Sequence, residues 1–167
     1  MVEGDSGDVR RMLVPIDFSS TAEAALVYAL RLAVPLRAEI LLCHAGALPD
    51  YELPDLVSPG IRAAAAALVD MAGALFAAAR QELAACAQRA QQRSPGVPIT
   101  TTFIEGLPAD GIVQCAREWG ADLIVMGSRN RRGVVHLLLG SVAEQVVRRS
   151  PCPVLIVHPH PQPPAGG

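Results

Sequence analysis

Apolar and polar positions alternate in blocks along this chain. Five short, near-continuous apolar runs recur at Met12–Ile16 (MLVPI), Glu39–His44 (EILLCH), Val97–Ile104 (VPITTTFI), Asp122–Met126 (DLIVM) and Pro153–His158 (PVLIVH). Runs of this length, bounded by turn residues, predict buried strands. The third is more polar and rich in β-branched residues, which puts it nearer a sheet edge. Between the runs the period changes to that of a helix. Ser20 followed by Glu23 predicts a capping box, and Leu26, Leu30 and Ala33 follow at helical spacing. Ala45–Gly60 carries two glycines and three prolines and reads as loop. Ile61–Arg93 predicts a long alanine-rich helix that Ser94-Pro95-Gly96 stops. Pro108 suits the first turn of a helix running to Trp119, with Gly120 as its C-terminal cap. Ser141 and Glu144 predict a second capping box, opening a helix to about Arg149 that Ser150-Pro151 ends. The order β-α-β-α-β-α-β-α-β predicts a parallel sheet covered on both faces. In such sheets ligands sit at the carboxyl ends of the strands, where strand order reverses. The loops that matter then begin at Asp17, Ala45 and Gly127.

Length and composition narrow the possibilities. At 167 residues the chain predicts one domain, over 10–159, between tails 1–9 and 160–167 that read as disordered. Hydrophobic residues make up 51% and charged residues 18%, a globular balance. The mean hydropathy of +0.32 owes much to alanine. The most apolar window, Ala63–Ala79, is interrupted by Asp70 and Gly73 and predicts a buried helix rather than a bilayer span. The N-terminal MVEGDSGDVRR has no apolar stretch of a secretory signal. Cys43, Cys86, Cys115 and Cys152 are far apart and read as buried free thiols, so a cytoplasmic protein is expected. With a net charge of -2, no large nucleic-acid surface is expected. There is no lysine, which removes the Walker-type phosphate site and Schiff-base chemistry.

Candidate chemistry gathers in Gly127–Gly140, between the fourth strand and the last helix. Gly127, Gly133 and Gly140 allow backbone to approach an anion, the helix start at Ser141 adds free N–H groups, and Arg129, Arg131 and Arg132 add charge. The same residues also have a purely structural reading: Ser141 caps a helix, and Gly133 and Gly140 serve turns. Asp17 likewise reads either as a ligand contact or as an organiser of its own loop. His44 reads as a satisfied core histidine and His136 as solvent-facing. His158 and His160 have no third ligand nearby, so no metal site is assigned. No nucleophile–base set or paired carboxylate is present, so no catalytic residue is assigned.

Several segments, in order, resemble the universal stress protein (UspA) family. They are MLVPIDFSSTAEAAL, ILLCH, IEGLPADGIVQCAREWGADLIVMGS and VMGSRNRRGVVHLLLGSVAEQVVRRSPCPVLIVHP, and the resemblance spans Arg11–Pro159. It implies a single doubly wound α/β domain of Rossmann-like, adenine-nucleotide-alpha-hydrolase-like type. Five parallel strands in the order 3-2-1-4-5 would carry helices on both faces. Members of this family that bind ATP share G-x2-G-x9-G-[S/T]. Gly127, Gly140 and Ser141 match it, whereas Asn130 stands at the second glycine. Asn tolerates a left-handed backbone, so the substitution is read as lowering affinity rather than abolishing the site. The resemblance further implies that Pro15 and Ile16 line the adenine side and that Asp17 lies near the nucleoside. It puts the Ala45 backbone against adenine and Met126 beside the nucleotide, with Val142 offering an amide. Arg131 matches a basic residue of the loop, and Arg129 stands where relatives often carry His. The implied ligand is ATP, with or without Mg2+. The implied assembly is a homodimer through the fifth strand, Pro153, Val154, Leu155, Ile156 and Val157. Two alternatives stay open: a dimeric interaction protein without nucleotide, and a slow ATP hydrolase.

Overall fold

The computed structural model describes residues 8–46, 58–128 and 139–158. Five strands alternate with four helices. The order is β1 (Arg11–Pro15), α1 (Ser20–Leu36), β2 (Glu39–Gly46), α2 (Pro59–Arg93), β3 (Ile99–Glu105), α3 (Pro108–Trp119), β4 (Leu123–Gly127), α4 (Ser141–Arg149) and β5 (Val154–Val157). The strands form one parallel sheet of order β3-β2-β1-β4-β5, as expected. Strand order reverses between β1 and β4, which opens a crevice at their carboxyl ends.

The period of two along each strand sorts the core into two layers. Met12 and Val14 of β1, Ile40 and Leu42 of β2, and Val125 of β4 face α1 and α2. Leu13, Leu41, Cys43, Ile124 and Met126 face the opposite way, toward α3 and α4. Helix α1 answers with Ala22, Ala25, Leu26, Ala29, Leu30 and Ala33, one continuous buried face. Most of that face is alanine, which lets α1 sit close to the sheet. Helix α3 buries Ala109, Ile112, Val113 and Ala116, and α4 buries Ala143 and Val146. An ion pair between Arg149 and Asp110 ties α4 to α3.

Three expectations are corrected. Helix α1 is capped by Ser19, not Ser20: the Ser19 hydroxyl accepts from the Ala22 amide at 3.2 Å. Glu23 takes no part in a capping box; its carboxylate pairs with Arg93. The Ala63–Ala79 window is not a buried helix. Its described positions are exposed or half-buried, with Leu75 at 65%. The reason is length. At 1.5 Å per residue, the 35 residues of α2 reach about 52 Å. The eight residues of β2 span only about 26 Å. The helix therefore overhangs the sheet, and only its later part, including Leu83 and Ala90, enters the core. Even so, no helix among the described residues is long and apolar enough to cross a membrane. Of the four cysteines, only Cys43 is fully buried; the others are half-buried.

Candidate functional site

A cleft of about 570 Å³ opens at the carboxyl ends of the strands, within the roughly 300–1,000 Å³ of small-molecule sites. Pro15 and Ile16 form one side of it, where the β1 ladder continues past the strand through the Ile16 amide, which donates to the Cys43 carbonyl at 2.7 Å. Ala45 contributes from the last turn of the ladder; β2 runs through Gly46, so Ala45 lies inside the strand rather than after it. Met126 and Gly127 form the floor, and Gly140, Ser141 and Val142 close the cleft from the start of α4.

Asp17 also lines the cleft, and it organises its own loop. Its Oδ1 accepts from the Ser19 amide at 3.0 Å and from the Ser19 hydroxyl. The Ser19 hydroxyl in turn lies 2.9 Å from that of Thr21. Phe18, between them, holds φ at +59°, an unusual conformation for an aromatic residue. Its ring lies against His44, with centroids 4.6 Å apart. The His44 Nδ1 lies 2.6 Å from the Ile16 carbonyl, which can only accept, so the histidine is satisfied as expected.

Gly127 has a structural duty that the spacing alone does not reveal. A Cβ there would lie 2.5 Å from the carbonyl carbon and oxygen of Thr21. Only glycine lets the first turn of α1 approach β4 this closely. At α4 the capping expectation is corrected. Gly140, not Ser141, is the N-cap, at φ -60° and ψ 152°, and no side chain caps the helix. The Glu144 amide bonds back to the Gly140 carbonyl at 2.9 Å, while the Glu144 carboxylate pairs with Arg148. A helix start without side-chain acceptors leaves donors for something else.

Arg129, Asn130, Arg131, Arg132, Gly133, His136 and His160 lie outside the described residues. His158 pairs with buried Ser128, whose hydroxyl is 3.2 Å from its Nδ1. No group of three metal-ligating side chains comes together among the described residues.

The cleft also holds residues the motifs did not reveal. Thr21 and Ala22 come from α1, and Cys43 comes from β2. Pro108 and Ile112 come from α3, and Leu139 and Ala143 flank the start of α4. The α3 side had a readable signal, since the helix after the third strand must begin at the same carboxyl end. Pro153 is exposed, and Val154–Val157 are half-buried along the edge of the sheet.

Comparison with known proteins agrees with this fold. The family model described as the universal stress protein family matches residues 8–158. Universal stress protein MJ0531 of Methanocaldococcus jannaschii is 33% identical over 148 residues, covering 89% of this chain and 81% of that protein. The solved structure of MJ0577, from the same organism, superposes with a TM-score of 0.71 at 25% identity, over 93% of this chain and 99% of that one. A universal stress protein solved in complex with cAMP matches with a TM-score of 0.57 at 26% identity, over 90% of this chain and 98% of that one. The chain belongs to the universal stress protein family.

Proposed function

We propose that this chain is a cytoplasmic stress-response module that binds ATP, or a related adenine nucleotide, in the cleft between β1, β2 and β4. The observation that carries this reading is the start of α4, at Gly140–Val142. These residues line a cleft of nucleotide size, and the helix start has no side-chain cap. A helix N-terminus of that kind suits phosphate, through N–H donors and the helix dipole. On the opposite side, the backbone of Pro15, Ile16 and Ala45 and the apolar surface of Met126 suit an adenine ring. Among the described residues Asp17 is the carboxylate that lines the cleft, and we assign it to the nucleoside side. A solved relative binds cAMP, itself an adenine nucleotide.

Gly127, Gly140 and Ser141 carry three of the four motif positions. Asn130 departs from the fourth and lowers affinity, while Arg129, Arg131 and Gly133 belong to the same loop and bring charge and close approach to the phosphates. A magnesium ion travelling with ATP would be held mainly by phosphate oxygens and water, because Mg2+ keeps much of its hydration shell. The module works by occupancy: a bound nucleotide sets the surface offered to partners.

We also infer a homodimer through Pro153–Val157. β5 ends the sheet, so one of its edges has no strand partner among the described residues, and its side chains are only half-buried. A charge at Leu155 or Val157 breaks that dimer; a wild-type protein that sediments as a monomer removes it.

The nucleotide reading is tested by denaturing freshly purified protein and identifying released small molecules by mass. An adenine nucleotide in near-stoichiometric amount is the expected result. Protein that carries none, and takes up none at millimolar ATP, overturns the reading.

A further inference from the structure

His44 sits where a strand ladder stops, on the far face of the sheet from the cleft. Cys43 and Ala45 of β2 line the cleft. Ile40 and Leu42 face α1 and α2 instead, and by alternation His44 shares their side. Its ring packs against those of Phe18 and Phe103, with centroids 4.6 and 5.6 Å away. Phe103 in turn packs on Phe76 of α2 at 5.0 Å, and the Arg80 guanidinium covers the Phe103 ring at 4.2 Å. A Cβ at Gly46 would come within 2.9 Å of Phe76 and 3.1 Å of Phe103, so the row fits tightly over the strand. Held in this row, the imidazole directs Nδ1 to the Ile16 carbonyl at 2.6 Å, and Nδ1 is the donor.

That bond takes the acceptor the ladder needs next. In a parallel pair, alternate residues turn both peptide groups to the same neighbour. The odd-numbered residues of β2 turn to β1: the Glu39 amide donates to the Arg10 carbonyl, and the Cys43 carbonyl accepts from the Ile16 amide. The even-numbered ones turn to β3: the Ile40 amide donates to the Pro98 carbonyl, and the Gly46 carbonyl accepts from the Gly106 amide. Ala45 belongs to the first set, so one more rung would run from its amide to the Ile16 carbonyl. Among the described residues that rung is not made; the β1–β2 ladder ends at Pro15 and Cys43. The Ala45 N–H and C=O therefore stay out of the ladder, at a residue that lines the cleft. Backbone groups left this way need another partner.

We propose that His44 is a positioning residue: by holding the Ile16 carbonyl from the opposite face of the sheet, it keeps the Ala45 N–H and C=O open to the edge of a purine base. One N–H beside one C=O matches adenine, whose ring nitrogen accepts and whose amino group donates. Guanine presents the reverse there, a ring N–H and a carbonyl. A site built to hydrogen-bond one pattern rejects a ligand that leaves its groups unpaired. The preference for adenine rests on the nucleotide reading; the diversion of the Ile16 carbonyl does not.

The test begins with amide hydrogen exchange, read by NMR on the full isotope-labelled chain without ligand. The Cys43 amide lies inside the β1–β2 ladder. The Ala45 amide is expected to exchange at least about tenfold faster than that of Cys43. Equal protection of the two overturns the proposal, and this comparison needs no variant. His44→Phe keeps an aromatic ring against Phe18 and Phe103 but removes the donor. The released Ile16 carbonyl is then expected to take the Ala45 amide and slow its exchange about tenfold. His44→Asn keeps a side-chain N–H and is expected to exchange as the wild type does. An Ala45 amide that exchanges alike in the wild type and His44→Phe overturns the role of His44. ATP and GTP are then titrated into all three proteins. His44→Phe is expected to weaken ATP about tenfold and GTP less than about twofold, with the preference for ATP restored in His44→Asn. Equal weakening of both nucleotides overturns the specificity role. Wild-type protein that binds neither contradicts the nucleotide reading instead, and exchange still decides the backbone role.

Discussion

Helices α1 and α4 both begin at the same cleft, and they begin differently. At α1 the Ser19 hydroxyl occupies the Ala22 amide, and Asp17 holds Ser19 in turn. At α4 the N-cap is Gly140, which has no side chain to offer the first turn. Both helix dipoles point their positive ends into the cleft. One start is satisfied by its own sequence and carries a carboxylate; the other has no cap side chain of its own. The difference gives the cleft a polarity. In the proposed site, phosphates belong at α4, and the uncharged nucleoside belongs near Asp17. The same asymmetry, in the proposed site, would let a chain without lysine hold a triphosphate.

The comparison can be broken most severely at Gly127, on which the seating of α1 depends. Gly127→Ala puts a Cβ about 2.5 Å from the Thr21 backbone. It is expected to cost about 2–3 kcal/mol in urea denaturation, as overpacking of a tight site does. A cost below about 0.5 kcal/mol would mean that α1 does not press on β4. Gly140→Asp makes the two helix starts alike, and its backbone angles suit any residue. The new carboxylate should stabilise the free protein by a few tenths of a kcal/mol and weaken ATP binding about tenfold, a change of about 1.4 kcal/mol. Calorimetry that finds unchanged affinity removes the phosphates from α4. Ser19→Ala is the reciprocal change. It should cost about 1 kcal/mol of stability and leave ATP affinity nearly untouched, both measurable on one purified variant. Asn130→Gly restores the family pattern and should tighten ATP by a smaller, few-fold factor; weaker binding would assign Asn130 a favourable contact.

The architecture was largely legible in the sequence, because each strand is a distinct apolar run and each helix has its own period. The sheet order came with the family resemblance and the structure agrees. What failed was local or relational. Both capping boxes were read one residue late, at Ser20 and Ser141. Composition offers a Ser followed by Glu at each, but Asp17 and Thr21 select Ser19 through hydrogen bonds. At α4 a glycine takes the cap with no side chain. The apolar window in α2 read as buried because hydropathy counts alanines, whereas burial depends on how far the sheet extends beneath them. Gly127 read as a phosphate glycine from spacing. Its close approach to Thr21 depends on α1 and β4 being neighbours, which a linear pattern does not state.

The most direct test of the polarity is a pair of calorimetric titrations on the wild-type protein stripped of bound ligand, one with ATP and one with adenosine. Phosphates held at the start of α4 predict that ATP binds at least about tenfold more tightly than adenosine, a difference of about 1.4 kcal/mol. Adenosine binding as tightly as ATP, or no heat from either at millimolar concentration, would contradict the account.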